Sequence, residues 1–515
     1  MVETINGVLG AIASIGVYGL VLVVIGVLLG LLVGVLPGLT FVMGVLLLVP
    51  FTYSMETGPA LILMLALYVA GTYGGALTAI LLNIPGEPNN VPLLWDGHGM
   101  ARRGRAAEAL GWAALAALVG GLVSWAVLVF AAKPFASVAL QLSSPEYFVI
   151  VLLGLASVLA LTETSVVAAT TAMFVGMLVS TVGVDPVTGT VRYDFGTTIL
   201  RDGIDFLAVM IGIYALGEVI TRFGENFGGQ VAQQPASIRT TIPGVRAIKD
   251  RGGSIIRGIL TGSLMGTVPG AGATVASFVS YGLEKQFGKH KREVGQASPS
   301  GIVAPQAAST ATVGGALVPL LILGIPGSAA AAVLLGVFLL HNVQPGPRIF
   351  VEQPELVYMI FGAFLLSLIL MFAVGVLGAK PLIRVLSFPE VYVSAFVVLF
   401  AFIGAFALRQ SFSDVWIMFA FGLIGFIMVR SDYPVAPLVL GAILGPLAER
   451  HFATAMISSR NDWSVFFTRP ISGTLMVILI LLMLLLGYRA YRARGQRTAG
   501  ERESQRQGTQ QIGDK

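Results

Sequence analysis

A chain of 515 residues that is 56% hydrophobic and 11% charged, with mean hydropathy +0.87, excludes a soluble globular protein, because soluble chains carry roughly 25% charged residues. The net charge of +5 comes from loops and the tail, so it bears on orientation in a bilayer and not on nucleic-acid binding. The absence of cysteine removes disulfides and thiolate metal sites.

Apolar segments of spanning or half-spanning length are expected near residues 11–36, 40–53, 59–82, 108–131, 147–161, 164–183 and 204–221. A polar linker follows at 222–253, and a second series runs 254–268, 270–282, 301–324, 328–340, 356–378, 391–408, 413–430, 434–448 and 470–489. Several fall short of the ~20 residues that a full crossing needs, so the fold class is an all-α polytopic membrane protein with about 12–14 membrane segments, some re-entrant or discontinuous. The organisation is then a first transmembrane repeat over 1–221, a cytoplasmic linker over 222–253, a second repeat over 254–469, an added helix over 470–489 and a disordered, basic tail over 490–515. No cleavable signal peptide is expected, since the N-terminus lacks a basic n-region.

Lys and Arg set the orientation. The first 101 residues hold neither, which places the N-terminus outside; Arg102, Arg103 and Arg105 mark an inner loop, as do Arg222, Arg239, Arg246, Lys249 and Arg251 in the linker. The 184–205 loop, with Asp185, Asp194, Asp202 and Asp205, reads as outer, and the tail with Arg489, Arg492, Arg494 and Arg497 as inner. The 449–469 loop belongs outside on this scheme although it carries Arg450, Arg460 and Arg469.

The chain repeats itself. Gly30-x3-Gly34-x2-Pro37-Gly38 recurs as Gly262-x3-Gly266-x2-Pro269-Gly270, 232 residues on, and Gly74-Gly75-Ala76-Leu77…Ile84-Pro85-Gly86 recurs as Gly314-Gly315-Ala316-Leu317…Ile325-Pro326-Gly327, 240 to 241 residues on. Lys133-Pro134, Pro145-Glu146 and Met173-Phe174 return as Lys380-Pro381, Pro389-Glu390 and Met418-Phe419. The 51–58 loop has only Glu56, whereas its counterpart 283–293 has Lys285, Lys289, Lys291 and Arg292. Equivalent loops on opposite sides are the mark of inverted repeats, an architecture that suits elevator-like alternating access.

Pro-Gly within apolar sequence breaks a helix and releases backbone donors and acceptors. Proline also suits the first turn of a new helix, so Gly38, Leu39 and Thr40, and Gly270, Ala271, Gly272 and Thr274, are candidates to hold a substrate anion at a helix N-terminus. The bland reading of each Gly-x3-Gly is close helix packing. Asn83, Pro85 and Gly86, and Pro326, Gly327 and Ser328, form the tips of a second pair of breaks and are further substrate-binding candidates. Ser309, Thr310 and Thr312 stand in an apolar stretch; their oxygens suit a hard cation such as Na⁺, against the bland reading that they bond back to their own helix. Glu163, Lys133, Lys380 and Arg409 fall at helix ends, where snorkelling explains them. His98 reads as a loop hydrogen-bonder. Anion recognition therefore rests on backbone donors and hydroxyls rather than a buried arginine. The lipase, zincin and P-loop motifs are missing, so no enzyme and no ATP-driven pump is expected.

At Gly34-x2-Pro37-Gly38, Asn83-Ile84-Pro85-Gly86 with Trp95-Asp96-Gly97-His98, Gly266-x2-Pro269-Gly270, Gly324-Ile325-Pro326-Gly327, Asp185-Pro186-x2-Gly189 and Gly441-x3-Gly445-Pro446-x2-Glu449-Arg450, the chain resembles the large membrane subunit of the tripartite tricarboxylate transporters, the TctA family. The resemblance covers residues 10 to 472. It implies a bacterial inner-membrane permease with periplasmic N-terminus and cytoplasmic C-terminus, partnered by a small TctB-like membrane subunit and a periplasmic TctC-like solute-binding protein. It further implies uptake of di- or tricarboxylates or aromatic acids driven by Na⁺ or H⁺, with no cofactor. A passive anion channel and a non-transporting scaffold or receptor are the alternatives that the residues leave open.

Overall fold

The structure, a computed structural model, describes residues 2–36, 38–162, 165–185, 187–223, 240–385 and 390–488. Pro37, Glu163, Pro186, Pro389, half of the linker (224–239) and the tail from 489 lie outside the described residues. Sixteen principal helices occupy the expected segments. They are α1 (Val2–Val35), α2 (Phe41–Thr52), α3 (Thr57–Leu82), α4 (Ala106–Ala139), α5 (Ser144–Leu161), α6 (Val166–Ser180) and α7 (206–223, with a wide turn at Ile211–Leu216). The second series is α8 (Gly252–Thr267), α9 (Gly272–Phe287), α10 (Ser300–Leu323), α11 (Ala329–Leu340), α12 (Pro354–Leu377), α13 (Glu390–Arg409), α14 (Phe412–Arg430), α15 (Val435–Ser458) and α16 (Pro470–Tyr488). A two-residue-per-strand antiparallel pair, β1 (Gly183–Val184) and β2 (Val191–Arg192), is the only sheet among the described residues.

Nine of the described helices are long and apolar enough to cross a membrane, and Phe41–Thr52, Val166–Ser180 and Ala329–Leu340 are shorter apolar helices beside them. The protein is an all-α, multi-pass membrane protein. Two helices carry the interior: all of the most apolar window of α3 is buried, and 89% of that of α10. These two are repeat-related. α1 packs on α3 as α8 packs on α10, and each pair is joined through a row of glycines. Gly26, Gly30 and Gly34 of α1 face Leu63, Leu67 and Gly71 of α3; Gly258, Gly262 and Gly266 of α8 face Ala304, Ala308 and Thr312 of α10. Side chains at those six positions would meet backbone, so the Gly-x3-Gly pattern serves close packing here.

The repeats also match in detail at their breaks. Gly38 and Gly270 have φ of +80° and +82°, and Asn83 and Gly324 close α3 and α10 in the left-handed region at 59° and 71°. Past each of those caps the chain turns back, so that a Cβ on Gly86 would run into the carbonyl of Gly34, and one on Gly327 into that of Gly266. The same contact is thus built twice, 232 and 241 residues apart in its two components.

The two halves are interwoven. α4 of the first half packs along α10, and α12 of the second half packs along α3 and α1. The closing helix of each half lodges against a hairpin of the other: α15 lies on α6 and α5, and α7 lies on α14 and α13. Gly441 of α15 meets Met173 of α6, and Gly212 of α7 meets Met418 of α14. Three boundaries differ most from expectation: α1 begins at Val2 and not near 11, α4 runs to Ala139 and not 131, and the end of α15 moves. α15 runs on to Ser458, so Glu449 and Arg450 are helical and the loop shrinks to 459–469. Arg469 from that loop is bound to Glu146 at 3.1 Å and to Ser143 at 2.7 Å.

Replacing Gly327 by Val should lower stability by about 1–3 kcal/mol through forced overpacking, read as a reduced unfolding midpoint of the detergent-solubilised protein. Gly282→Ala, where nothing lies within 4 Å, should leave the midpoint unchanged or raise it. Equal midpoints for Gly327→Val and the wild type would show that the tip contact carries no stability.

Candidate functional site

The tips of the second pair of breaks meet a polar cluster between α3 and α10 that is closed to solvent. Asn89, four residues beyond Pro85, is fully buried and donates from Nδ2 to Ser309 Oγ at 2.6 Å and, more weakly, to the Thr72 carbonyl at 3.4 Å. Its own carbonyl accepts from Ser277 Oγ of α9 at 2.6 Å. Gln306 Nε2 donates to the Thr72 carbonyl and to Thr310 Oγ1, both at 3.3 Å, and the Thr72 and Thr310 hydroxyls lie 3.4 Å apart. From the other half, Ser328 Oγ is hydrogen-bonded to Tyr68 Oη at 2.9 Å, and the Tyr68 ring stacks on Phe41 at 5.4 Å. Residues of both halves are thus bonded to each other in the interior, in the group around Asn89 and Gln306 and in the Tyr68–Ser328 pair. Among the described residues, Asn90 Oδ1 and Gln306 Oε1 are buried there without a hydrogen-bond partner, and so is Tyr73 Oη where its ring meets Gly375 of α12. Such groups are costly in a medium without water.

The expected residues divide around this cluster. Ser309 and Thr310 are in it with outward-reaching bonds, and Ser328 bonds Tyr68, one helical turn before Thr72 on α3, while also capping α11 through Ala331 N at 3.2 Å. Thr312 is buried but returns its hydroxyl to the Ser309 carbonyl at 2.6 Å, the bond that a helix-interior threonine makes with its own backbone. Gly86, Pro326 and Gly327 are buried supports of the two tips, Pro85 is half-buried, and Asn83 is exposed. Gly270, Ala271, Gly272 and Thr274 open α9, which reaches the cluster one turn later through Ser277. Gly270 itself packs on Val158 of α5, and Ser157 Oγ lies 3.5 Å from the Pro269 carbonyl.

At the first break the donors are taken up inside the protein. Thr40 Oγ1 accepts from Met43 N at 3.2 Å, and the Phe41 N–H donates to the carboxylate of Glu87. Gly38 and Leu39 lie half-buried beside them. The guanidinium of Arg222, at the end of α7, lies so close over Gly38 that any side chain there would overlap it. Arg222 also pairs with Glu218 at 3.1 Å. An arginine therefore stands at this break; the sequence places Arg222 among the linker charges, and only the geometry of α7 brings it over Gly38.

A sequence model of the tripartite tricarboxylate transporter TctA family matches residues 20–440. The chain belongs to that family. Two curated relatives come from Agrobacterium vitis. An uncharacterized 52.8 kDa protein of the TAR-I ttuC' 3' region is 35% identical over 455 residues, 88% of this chain and 90% of its own length. An uncharacterized protein of the TAR-II ttuC' 3' region is 34% identical over 234 residues, 45% of this chain and 97% of its own length. No solved structure matches.

In this TctA family member, several motifs that carried the resemblance are structural. Asp185 anchors the β1–β2 turn, where the Val187 and Thr188 N–H groups hold its carboxyl below the usual aspartate range. Arg192 of β2 then pairs with Asp185 at 3.5 Å and with both oxygens of Glu449 at 2.5 and 3.1 Å, which joins two distant motifs. Asp96 is fully buried and accepts from Tyr281 Oη at 3.0 Å, Gly295 N at 2.9 Å and Ser298 N at 2.7 Å. His98 Nδ1 bonds the Ile80 carbonyl at 3.2 Å, the hydrogen-bonding role expected of it, but from the helical turn Leu94–His98 and not from a loop. Arg409 does more than end a helix: it forms an ion pair with the buried Asp414 and donates to the Asp202 carbonyl at 2.8 Å.

Asn89→Leu removes the donor to Ser309 and Thr72 while keeping the volume. Loss of two buried bonds should cost about 1–3 kcal/mol, measured as a lower unfolding midpoint, whereas Thr312→Val should cost less because only a local bond is lost.

Proposed function

We propose that the protein is the permease subunit of a tripartite, solute-binding-protein-dependent secondary transporter that imports organic carboxylates by alternating access. One observation carries this reading: the tips of the interrupted helices reach buried hydroxyls and amides across the halves, Asn89 bonding Ser309 and Ser328 bonding Tyr68, while the first break presents the α2 N-terminus at Phe41 with Arg222 over Gly38. Transporter folds built on repeats place cargo and coupling-ion sites at such junctions. The family supports the remainder of the assignment, namely a TctB-like membrane subunit, a TctC-like periplasmic binding protein and residence in the bacterial inner membrane with the N-terminus periplasmic.

In this reading Gly38, Leu39 and Thr40 and the tips around Gly86 and Gly327 form the cargo site, with Gly270 to Thr274 supporting it through α9. Ser309 and Thr310 belong to the coupling-ion side of the same cluster, the ion being Na⁺ or H⁺. The opposite loop charges of the two repeats support an inverted relation, and with it an elevator-like exchange of the two access states.

Gly38→Leu must displace the Arg222 guanidinium, and Gly270→Leu must displace Val158, each at a backbone conformation that disfavours side chains. Both should reach the membrane in normal amount and lose uptake by tenfold or more (about 1.4 kcal/mol or greater in the transport barrier). Uptake is read in proteoliposomes holding all three subunits. Counterflow separates the carrier from a channel, because only a carrier exchanges labelled for unlabelled cargo saturably. Wild-type uptake rates in both leucine variants would refute the assignment of the site.

A further inference from the structure

Glu87 is 2% exposed, and its carboxylate accepts the N–H of Phe41, the first residue of α2. It therefore occupies, from inside the protein, the helix N-terminus proposed above for a cargo anion. No cation contacts it among the described residues. The titratable and charged groups nearest this break are Tyr68 of α3, whose ring stacks on Phe41, and Arg222 of α7, which lies over Gly38 and pairs with Glu218. On its own segment the next acid is Asp96, which is held by Tyr281, Gly295 and Ser298.

The second half lacks this acid. The residue 241 positions after Glu87 is Ser328, a neutral hydroxyl that caps α11 and bonds Tyr68. Of the two equivalent tips, only the first carries a group that can gain or lose a proton. Beside it, Asn90 lies over Gly75 together with the Glu87 backbone, and its buried Oδ1 has no partner. Burial disfavours the charge on Glu87, and the α2 N-terminus with its N–H donor favours it. The balance shifts as soon as that donor is given to another anion.

We propose that Glu87 is the proton-binding residue of the coupling cycle: ionised, it holds the α2 N-terminus closed against cargo; protonated, it yields that terminus to the cargo carboxylate. The inference rests on the permease reading for what the cargo is, and it selects H⁺ over Na⁺ at this position. Charge balances, since the proton taken up by Glu87 offsets the one negative charge that replaces it at Phe41 N. The sign follows from linkage. Cargo binds the protonated form, so binding strengthens as pH falls, and above the titration point of Glu87 it weakens about tenfold per pH unit, one proton per anion.

Two measurements on the full chain in lipid test this. Infrared difference spectra between acid and alkaline buffer should contain a protonated-carboxyl C=O band that is lost in Glu87→Gln and shifted in Glu87→Asp; a folded wild type without such a band overturns the proposal. Binding of radiolabelled citrate should show the tenfold-per-unit slope in the wild type and in Glu87→Asp, and none in Glu87→Gln. A slope retained in Glu87→Gln, or a flat wild type that binds citrate, also overturns it. If the band titrates but citrate neither binds nor enters at any pH, the proton site stands and the carboxylate reading is what fails.

Discussion

A helix interrupted inside hydrocarbon leaves peptide N–H and C=O groups with no water to bond. Here that demand is met by bringing other backbone and small polar side chains very close, which requires glycine on both sides of the contact. Gly34 with Gly86, and Gly266 with Gly327, fix the two tips against α1 and α8. Once the tips are fixed, Asn89 and Ser328 can reach only the inner faces of α3 and α10, and the residues there must be hydroxyls and amides to receive them. The polar cluster is thus a consequence of the breaks rather than an independent feature.

The near-symmetry of the two halves makes the departures from it informative. Thr72 and Thr312 are equivalent in position, and both return a hydroxyl to a carbonyl three residues back. Ser309, Thr310 and Gln306 reach across instead. A purely structural lining would treat equivalent positions alike. The contrast between Glu87 and Ser328 is the sharpest case, because one member can change its charge and the other cannot.

Much of the fold was legible because two patterns survive in any single sequence: apolar runs of fixed length, and Pro-Gly set twice at nearly equal spacing. The ends of α3 and α10, the short α2 and α11, and the duplication itself follow from those. Long-range pairing was not legible. Nothing in the spelling of Asn89 or Gln306 says that they lie across from Ser309 or Thr72, since that depends on the exchange of helices between halves. Arg222 and Glu87 were hidden for a related reason: one looked like the start of a basic linker, the other like a polar residue in a turn. The segment 449–469 was misjudged because apolarity falls away at Glu449 while the helix continues, its charge met by Arg192 of the β1–β2 hairpin.

The interwoven closing helices have a consequence for biosynthesis. The α5–α6 hairpin finds its main cover in α15, whose first residue, Val435, lies 255 positions after Ser180. At translation rates of about 5–20 residues per second, that partner arrives on the order of ten to fifty seconds later. Throughout the interval the glycine-bearing side of α6 must stay in lipid, or against an insertase or chaperone, without locking onto the wrong neighbour. Assembly of this TctA family member is therefore held open until translation is nearly finished.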